Sequence, residues 1–170
     1  GWDTVTPIPT YVKVTNGYED ASASGAEYPL QVMNPHYLRR AHSVFDNIGW
    51  LREAWTNPVF ISTADAEAAG VSDGDTVLVS SPYGQCVRNA CVYAGLMPGV
   101  VALPHGAWVA VDEETGIDAA GADNYLTGPA PNGQGVSGYN SALCKIEKYT
   151  GEALAPDAEQ PLRIVCKDGE

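Results

Sequence analysis

From Pro58 to Leu103 the apolar positions come in short, valine-rich runs separated by turn residues, a pattern of strands rather than of long helices. Pro58–Ser62 (PVFIS) predicts an apolar strand. Ser62-Thr63-Ala64-Asp65 reads as a capping box, Ala64–Ala69 is rich in helix formers and Gly70 supplies a left-handed stop, so a short helix is expected over 63–69. Val71–Asp75 is turn chemistry around Asp73-Gly74, and Thr76–Ser81 is a β-branched strand. Pro82-Tyr83-Gly84 reverses the chain into an alternating strand over Gln85–Ala94, and Met97-Pro98-Gly99 turns it into Val100–Leu103. Alternation along 85–94 places Arg88 away from the loops discussed below, where it is expected to be exposed.

Outside that block the pattern is sparser. Tyr28–Met33 predicts a short strand before it; Ser141–Tyr149 and Pro161–Cys166 predict strands after it. Val44, Ile48, Leu51 and Trp55 recur at helical spacing, so a helix with a core-facing side is expected within 44–55, weakened by Gly49. Residues 1–27, with Pro7, Pro9, Gly17, Gly25 and the run ASASGA, bury no face; they read as a linker or extended arm from the preceding part of a longer chain. Residues 28–170 are then the domain proper. From Pro104 onward three long loops follow one another, which in a compact domain points to function or disorder.

Charge narrows the possible partners. With 170 residues, 45% hydrophobic, the chain suffices for one domain with a sizeable core. A formal net charge of -12 and only 9 Lys+Arg exclude a nucleic-acid-binding face. No stretch approaches the ~18 consecutive apolar residues of a membrane span, so direct membrane insertion is not expected. Yet Tyr28–Trp55 gathers His36, His42, Arg39, Arg40 and Arg52 around the pair His42-Ser43, and cations concentrated on a loop of an acidic protein suit an anionic group.

Other motifs lead nowhere. Cys86, Cys91, Cys144 and Cys166 form no C-x-x-C pair, and no histidine stands at zinc-ligand spacing to them, so no metal site is expected. Cys86 and Cys91 fall on opposite faces of one strand and are expected as buried small hydrophobes. Asp112, Glu113, Glu114, Asp118 and Asp123 fit no calcium loop and read as a solvated face. Gly133, Gly135 and Gly138 spell a dinucleotide fingerprint without the flanking strand and helix that it needs. His42, Ser43 and Asp46 lack the strained turn that presents a serine nucleophile, so no catalytic residue is assigned.

The blocks YPLQ, NPHYLRRAHSVFDNIGWL, STADAEAAGVSDGDTVLVSS, MPGVVALPHGAW and NYLT, in that order over Tyr28 to Tyr149, resemble the C-terminal molybdopterin-dinucleotide-binding domain of the dimethyl sulfoxide reductase family. The resemblance implies a mainly β fold, a double-psi β-barrel of about six strands with short helices and long loops. It implies a cofactor of molybdenum, or tungsten, held by two pterins, the bis(molybdopterin guanine dinucleotide) of the parent enzyme. By similarity, His36, Arg40, His42 and Ser43 hold pterin and phosphate groups, joined by Asn124, Asn140 and Ser141; at Asn140 relatives carry a longer amide or a histidine. Expected partners are the remaining domains of the parent, an iron–sulfur electron-transfer subunit and a membrane anchor. The parent is expected to be an anaerobic bacterial S-oxide or N-oxide reductase at the outer face of the cytoplasmic membrane. The isolated chain is expected neither to turn over nor to keep the cofactor bound. A barrel of the same fold serving only as an interaction scaffold is the alternative, and retention of His36, Arg40, His42, Ser43 and Asn124 together speaks against it.

Overall fold

The computed structural model of the chain describes residues 7–131, 135, 136, 138 and 140–152. Six strands, β1 (Leu30–Met33), β2 (Pro58–Ile61), β3 (Thr76–Ser80), β4 (Gln85–Val92), β5 (Val100–Ala102) and β6 (Ala142–Lys148), close into a barrel in the order β1-β5-β2-β4-β3-β6. Two neighbouring pairs, β1 with β5 and β2 with β4, are parallel; the other four contacts are antiparallel. The fold is thus the mainly β, six-stranded barrel that the resemblance implied. The strand expected over 161–166 lies outside the described residues.

Alternation along each strand fills the barrel. Leu30 and Val32, Val59 and Ile61, Val77 and Val79, Cys86 and Ala90, and Cys144 and Ile146 point inward and are buried with Val101, Leu103 and Leu126. Burying each such valine, leucine or isoleucine side chain contributes about 1.5–3 kcal/mol. Among the described residues, three short α-helices decorate the barrel: α1 (Tyr18–Ala21), α2 (Gly49–Ala54) and α3 (Thr63–Ala69). α3 begins and ends where its caps dictate. Ser62 Oγ accepts the Asp65 N–H at 3.1 Å, and Gly70 closes the helix at φ 64°. Asp65 also accepts the Gly99 N–H at 2.9 Å, which ties the helix to the turn before β5.

Three expectations are corrected. The helix foreseen within 44–55 spans only Gly49–Ala54, and Val44 is exposed. Residues 37–44 are used in two successive tight turns, closed by the bridges Tyr37–Arg40 and Ala41–Val44. Phe45 (φ 77°), inside the expected range, takes a left-handed conformation that no helix admits, as His42 (φ 52°) does in the turn before it. Arg88 is buried, on the same inward face of β4 as Cys86 and Ala90. Cys86 is buried as expected, but Cys91 near the end of β4 is only half-buried. Among the described residues, no helix is long and apolar enough to cross a membrane.

Candidate functional site

Strand directions bring distant loops to one end of the barrel. β1 runs out at Met33 and its parallel neighbour β5 at Ala102, so the segments 34–48 and 103–122 leave from the same rim. β6 is antiparallel to β1, with Val32 opposite Ala142, so Asn140 and Ser141 enter at that rim too. The 3-10 helix Asp123–Leu126 is fastened there by Asp123, whose carboxylate accepts the Gly106 N–H at 2.9 Å and the Asn34 amide at 3.2 Å. His36, His42, Ser43, Asn124, Asn140 and Ser141 therefore share one end of the molecule, and all but the half-buried Ser141 are exposed.

Beneath this surface lies a buried polar frame. Asp46, 2% exposed, pairs with Arg39 at 3.0 Å and Arg40 at 2.9 Å and accepts the Trp108 N–H at 3.1 Å. Arg40 also donates to the carbonyls of His105 (2.8 Å) and Pro104 (3.0 Å) and to Asn57 Oδ1 (2.7 Å). Asn57 in turn donates to the carbonyls of Ala120 and Gly121. Arg88 reaches Pro104 O from the other side at 3.0 Å and donates to Gly121 O and Pro58 O. Burial pushes its guanidinium down to about 10, so it remains a cation at neutral pH. Arg40, expected by resemblance to hold a pterin or phosphate group, has no exposed side-chain area and bonds to the loops from inside.

Two of the carboxylates expected on a solvated face belong to the same frame. Asp118 is 0% exposed and accepts the N–H groups of Ala110 (2.7 Å), Ala120 (3.1 Å) and Ala122. Asp123 is 4% exposed. A long loop with little secondary structure leaves its backbone donors in need of acceptors, and these two aspartates with Asp46 supply them. The loops that carry His36, His42 and His105 and the segment leading to Asp123 are thereby held on charged residues.

At the surface, His105, which the sequence did not single out, joins the predicted histidines. Its Nε2 lies 3.2 Å from His42 Nδ1 and its Nδ1 3.3 Å from the Asn34 carbonyl. The His36 ring stands edge-on to both, with centroids 5.0 Å from His42 and 4.6 Å from His105. Gly106 (φ 89°) lets the chain pass directly against the His42 carbonyl, where a Cβ would collide. Trp108 Nε1 donates to Ser43 O at 2.9 Å and holds the other side of that turn. Among the described residues, two buried polar atoms at this end find no hydrogen-bond partner: the acceptor Asn34 Oδ1 and the donor Arg39 Nε.

These features fit a planar, hydrogen-bonding, anionic ligand. Exposed imidazoles, amides and a hydroxyl can meet phosphate oxygens and heterocycle edges, and a buried unsatisfied acceptor suits a ring N–H. His36, Arg40, His42 and Ser43 were reachable by their clustering between 34 and 43, whereas Asn124, Asn140 and Ser141 came from the resemblance alone; His105 was not singled out, because its partners are 63 and 71 positions away.

Comparison with known proteins points the same way. Residues 30–142 match the family model described as Molydopterin dinucleotide binding domain. The chain is 36% identical over 145 residues to the probable dimethyl sulfoxide reductase chain YnfF of Escherichia coli, covering 84% of this chain and 18% of that protein. It is 34% identical to the dimethyl sulfoxide reductase DmsA of the same organism, covering 86% of this chain and 18% of that one. The dimethyl sulfoxide/trimethylamine N-oxide reductase of Cereibacter sphaeroides is 32% identical, at 89% and 19% coverage. The chain thus spans about a fifth of the length of the curated relatives it matches. Acetylene hydratase from Pelobacter acetylenicus superimposes with a TM-score of 0.65 over 84% of this chain and 21% of that one, at 21% identity, a likeness of fold.

Proposed function

The chain belongs to the molydopterin dinucleotide binding domain family, in its dimethyl sulfoxide reductase branch, and from that premise we propose that the rim of loops described above forms one wall of the cofactor site of a larger molybdoenzyme. The observation that carries the proposal is the convergence of His36, His42, Ser43, Asn124, Asn140 and Ser141 beside two unsatisfied buried polar atoms. When bound, the guanine dinucleotide cofactor supplies the metal at which oxygen-atom transfer takes place. The chain's own contribution is to bind and orient.

His36, His42 and Ser43 present donors to phosphate oxygens, and Asn124, Asn140 and Ser141 face the heterocycle edges. Asn34 Oδ1 offers an acceptor to a ring N–H. Arg40 acts as a positioning residue, since its bonds to the His105 and Pro104 carbonyls and to Asp46 set the height of both histidine-bearing loops. Family membership favours this reading over a pure scaffold, which has no use for polar atoms left unsatisfied. The whole enzyme is an S-oxide or N-oxide reductase with an iron–sulfur electron-transfer subunit and a membrane anchor, working at the outer face of the bacterial cytoplasmic membrane. The 170-residue chain alone does not turn over.

The test uses the full-length parent. His42→Ala and Asn124→Ala, both at exposed positions, should lower molybdenum content by about tenfold or more while thermal unfolding of the parent stays unchanged, each charge-assisted or dipolar contact being worth about 1–3 kcal/mol. Full metal occupancy in both variants would remove this rim from the cofactor site. The isolated chain should bind the free dinucleotide no tighter than micromolar, because one wall of a site should not deliver the about -12 kcal/mol of a nanomolar complex.

A further inference from the structure

His36, His42 and His105 form a cluster with a chemistry of its own. One ring nitrogen from each lies within 4.8 Å of the others, and these are the only histidines in the chain. We propose that the three imidazoles form a binding site for a borderline divalent transition-metal ion, Zn²⁺, Co²⁺ or Ni²⁺, separate in kind from the molybdenum of the pterin cofactor and available when the dinucleotide is absent.

The donor set is the first argument. Three neutral imidazoles are the ligand type that these cations prefer, and a three-nitrogen face with the remaining positions open to water is a common coordination pattern. Around a tetrahedral ion with bonds of about 2.0–2.1 Å, ligand nitrogens sit about 3.3 Å apart. His105 Nε2 and His42 Nδ1 already stand 3.2 Å apart. His36 is exposed, so rotation about its side-chain bonds can bring its nitrogen in from its present position within 4.8 Å.

Orientation is the second argument. The Asn34 carbonyl only accepts, so the contact at 3.3 Å places the proton of His105 on Nδ1 and leaves the Nε2 lone pair facing the cluster. A backbone carbonyl that fixes the tautomer of a ligand ring is the usual outer support of a histidine metal site. His42 Nδ1 then carries the proton shared with His105 Nε2. On metal binding that proton transfers to Nε2 of the same ring, exchanged through solvent, and Nδ1 coordinates. No proton or electron is left over.

Rigidity is the third. The His42 turn is closed by paired hydrogen bonds between Ala41 and Val44 and pressed against Gly106. His105 is held through its own carbonyl by Arg40 and through its N–H by Pro35 O. Arg39 and Arg40 lie below, and Asp46 offsets part of their charge, while the net charge of -12 attracts cations to the molecule as a whole. Spacing along the chain gives no hint of this site, because His105 lies 63 positions from His42.

The untagged chain, freed of metal with a chelator, would be titrated with Co²⁺ and then with Zn²⁺. One equivalent of Co²⁺ should give a visible absorption band typical of nitrogen ligation, and Zn²⁺ should displace it one for one. His36→Ala and His42→Gln, both at exposed positions and checked by circular dichroism, should each weaken binding by at least the about tenfold to hundredfold seen when outer supports of a metal site are removed. Cys91→Ser and Cys166→Ser should leave it unchanged. Binding that survives in the folded His36→Ala/His42→Gln double variant, that disappears with a cysteine variant, or that saturates above one equivalent would overturn the proposal. No dinucleotide enters this experiment, so its outcome is independent of the cofactor reading.

Discussion

Replacing Arg40 by alanine tests whether the histidine loops rest on a buried charged frame. The change removes the guanidinium that contacts Asp46, Asn57 Oδ1 and the carbonyls of His105 and Pro104. Pro104 O keeps Arg88 at 3.0 Å and Asp46 keeps Arg39 at 3.0 Å, so neither is orphaned. His105 O and Asn57 Oδ1 lose their partner, at about 1–3 kcal/mol each, and half of a buried ion pair goes with it. Breaking such a pair costs about 3–5 kcal/mol when nothing compensates. Since Arg39 compensates in part, a total of about 3–5 kcal/mol is expected for the whole substitution. For a chain of this size that lowers Tm by about 10 °C. Urea unfolding followed by tryptophan fluorescence is the assay, with Trp108, bonded to Asp46 through its N–H, as a local reporter. A double-mutant cycle with Asp46→Asn should give a coupling above about 1.5 kcal/mol. If Arg40→Ala unfolds within about 1 kcal/mol of the parent chain, the frame is not what holds the loops.

Further outcomes follow from other parts of the frame. Gly106→Ala should destabilise by about 1–3 kcal/mol, because its φ of 89° disfavours alanine and the new Cβ meets the His42 carbonyl; a shift of the histidine Cε1–H resonances in proton NMR should accompany the loss, and unchanged spectra would contradict it. Asp118→Ala strips three loop N–H groups of their acceptor and should cost at least about 3 kcal/mol in urea unfolding, whereas Asp112→Asn, though its carboxylate accepts from Thr115, sits on the exposed side of its loop and should cost far less. Burial pushes the Cys86 thiol up to about 12, so iodoacetamide at pH 8 should label half-buried Cys91 well before Cys86, read by peptide mass spectrometry. The same shift has a sign for stability: the folded chain holds the Cys86 proton longer than the unfolded one, so its contribution is complete below the ordinary thiol pKa of about 8.5 and is lost as pH rises toward 12, reaching about 2 kcal/mol at pH 10.

What the sequence revealed and what it hid follow from the range of the interactions. The strands and α3 were legible because valine runs, Ser62 and Gly70 act within a few residues of themselves. Arg88 was misplaced because an arginine in an alternating strand normally faces water, and only the carbonyls of Pro58, Pro104 and Gly121, scattered over 63 positions (121 minus 58), make its burial tolerable. Asp118 and Asp123 were misread for the same reason, since a carboxylate in an acidic loop looks alike whether it faces solvent or backbone N–H groups. The better signal was the length of the loops, which have donors to satisfy. Val44 was drawn into a helix by spacing alone, against the left-handed Phe45 beside it, which spacing does not register. His36 and His42 stood out through local clustering, while His105 needed the parallel pairing of β1 and β5 to arrive beside them.

That pairing also governs the order in which the molecule can be made. Among the described strands β1 pairs only with β5 and β6, whose residues leave the ribosome about seventy and about a hundred and ten positions after it, so the first wall of the barrel must wait for the last. During synthesis β2, β3 and β4 can associate early, with the apolar face of Leu30 and Val32 still uncovered. Closure then comes late and all at once, on contacts distant in sequence, which makes folding slow and leaves the nascent domain dependent on protection from aggregation. The loops that carry the histidines take shape only at that final step, so a ligand can be loaded only into a finished barrel.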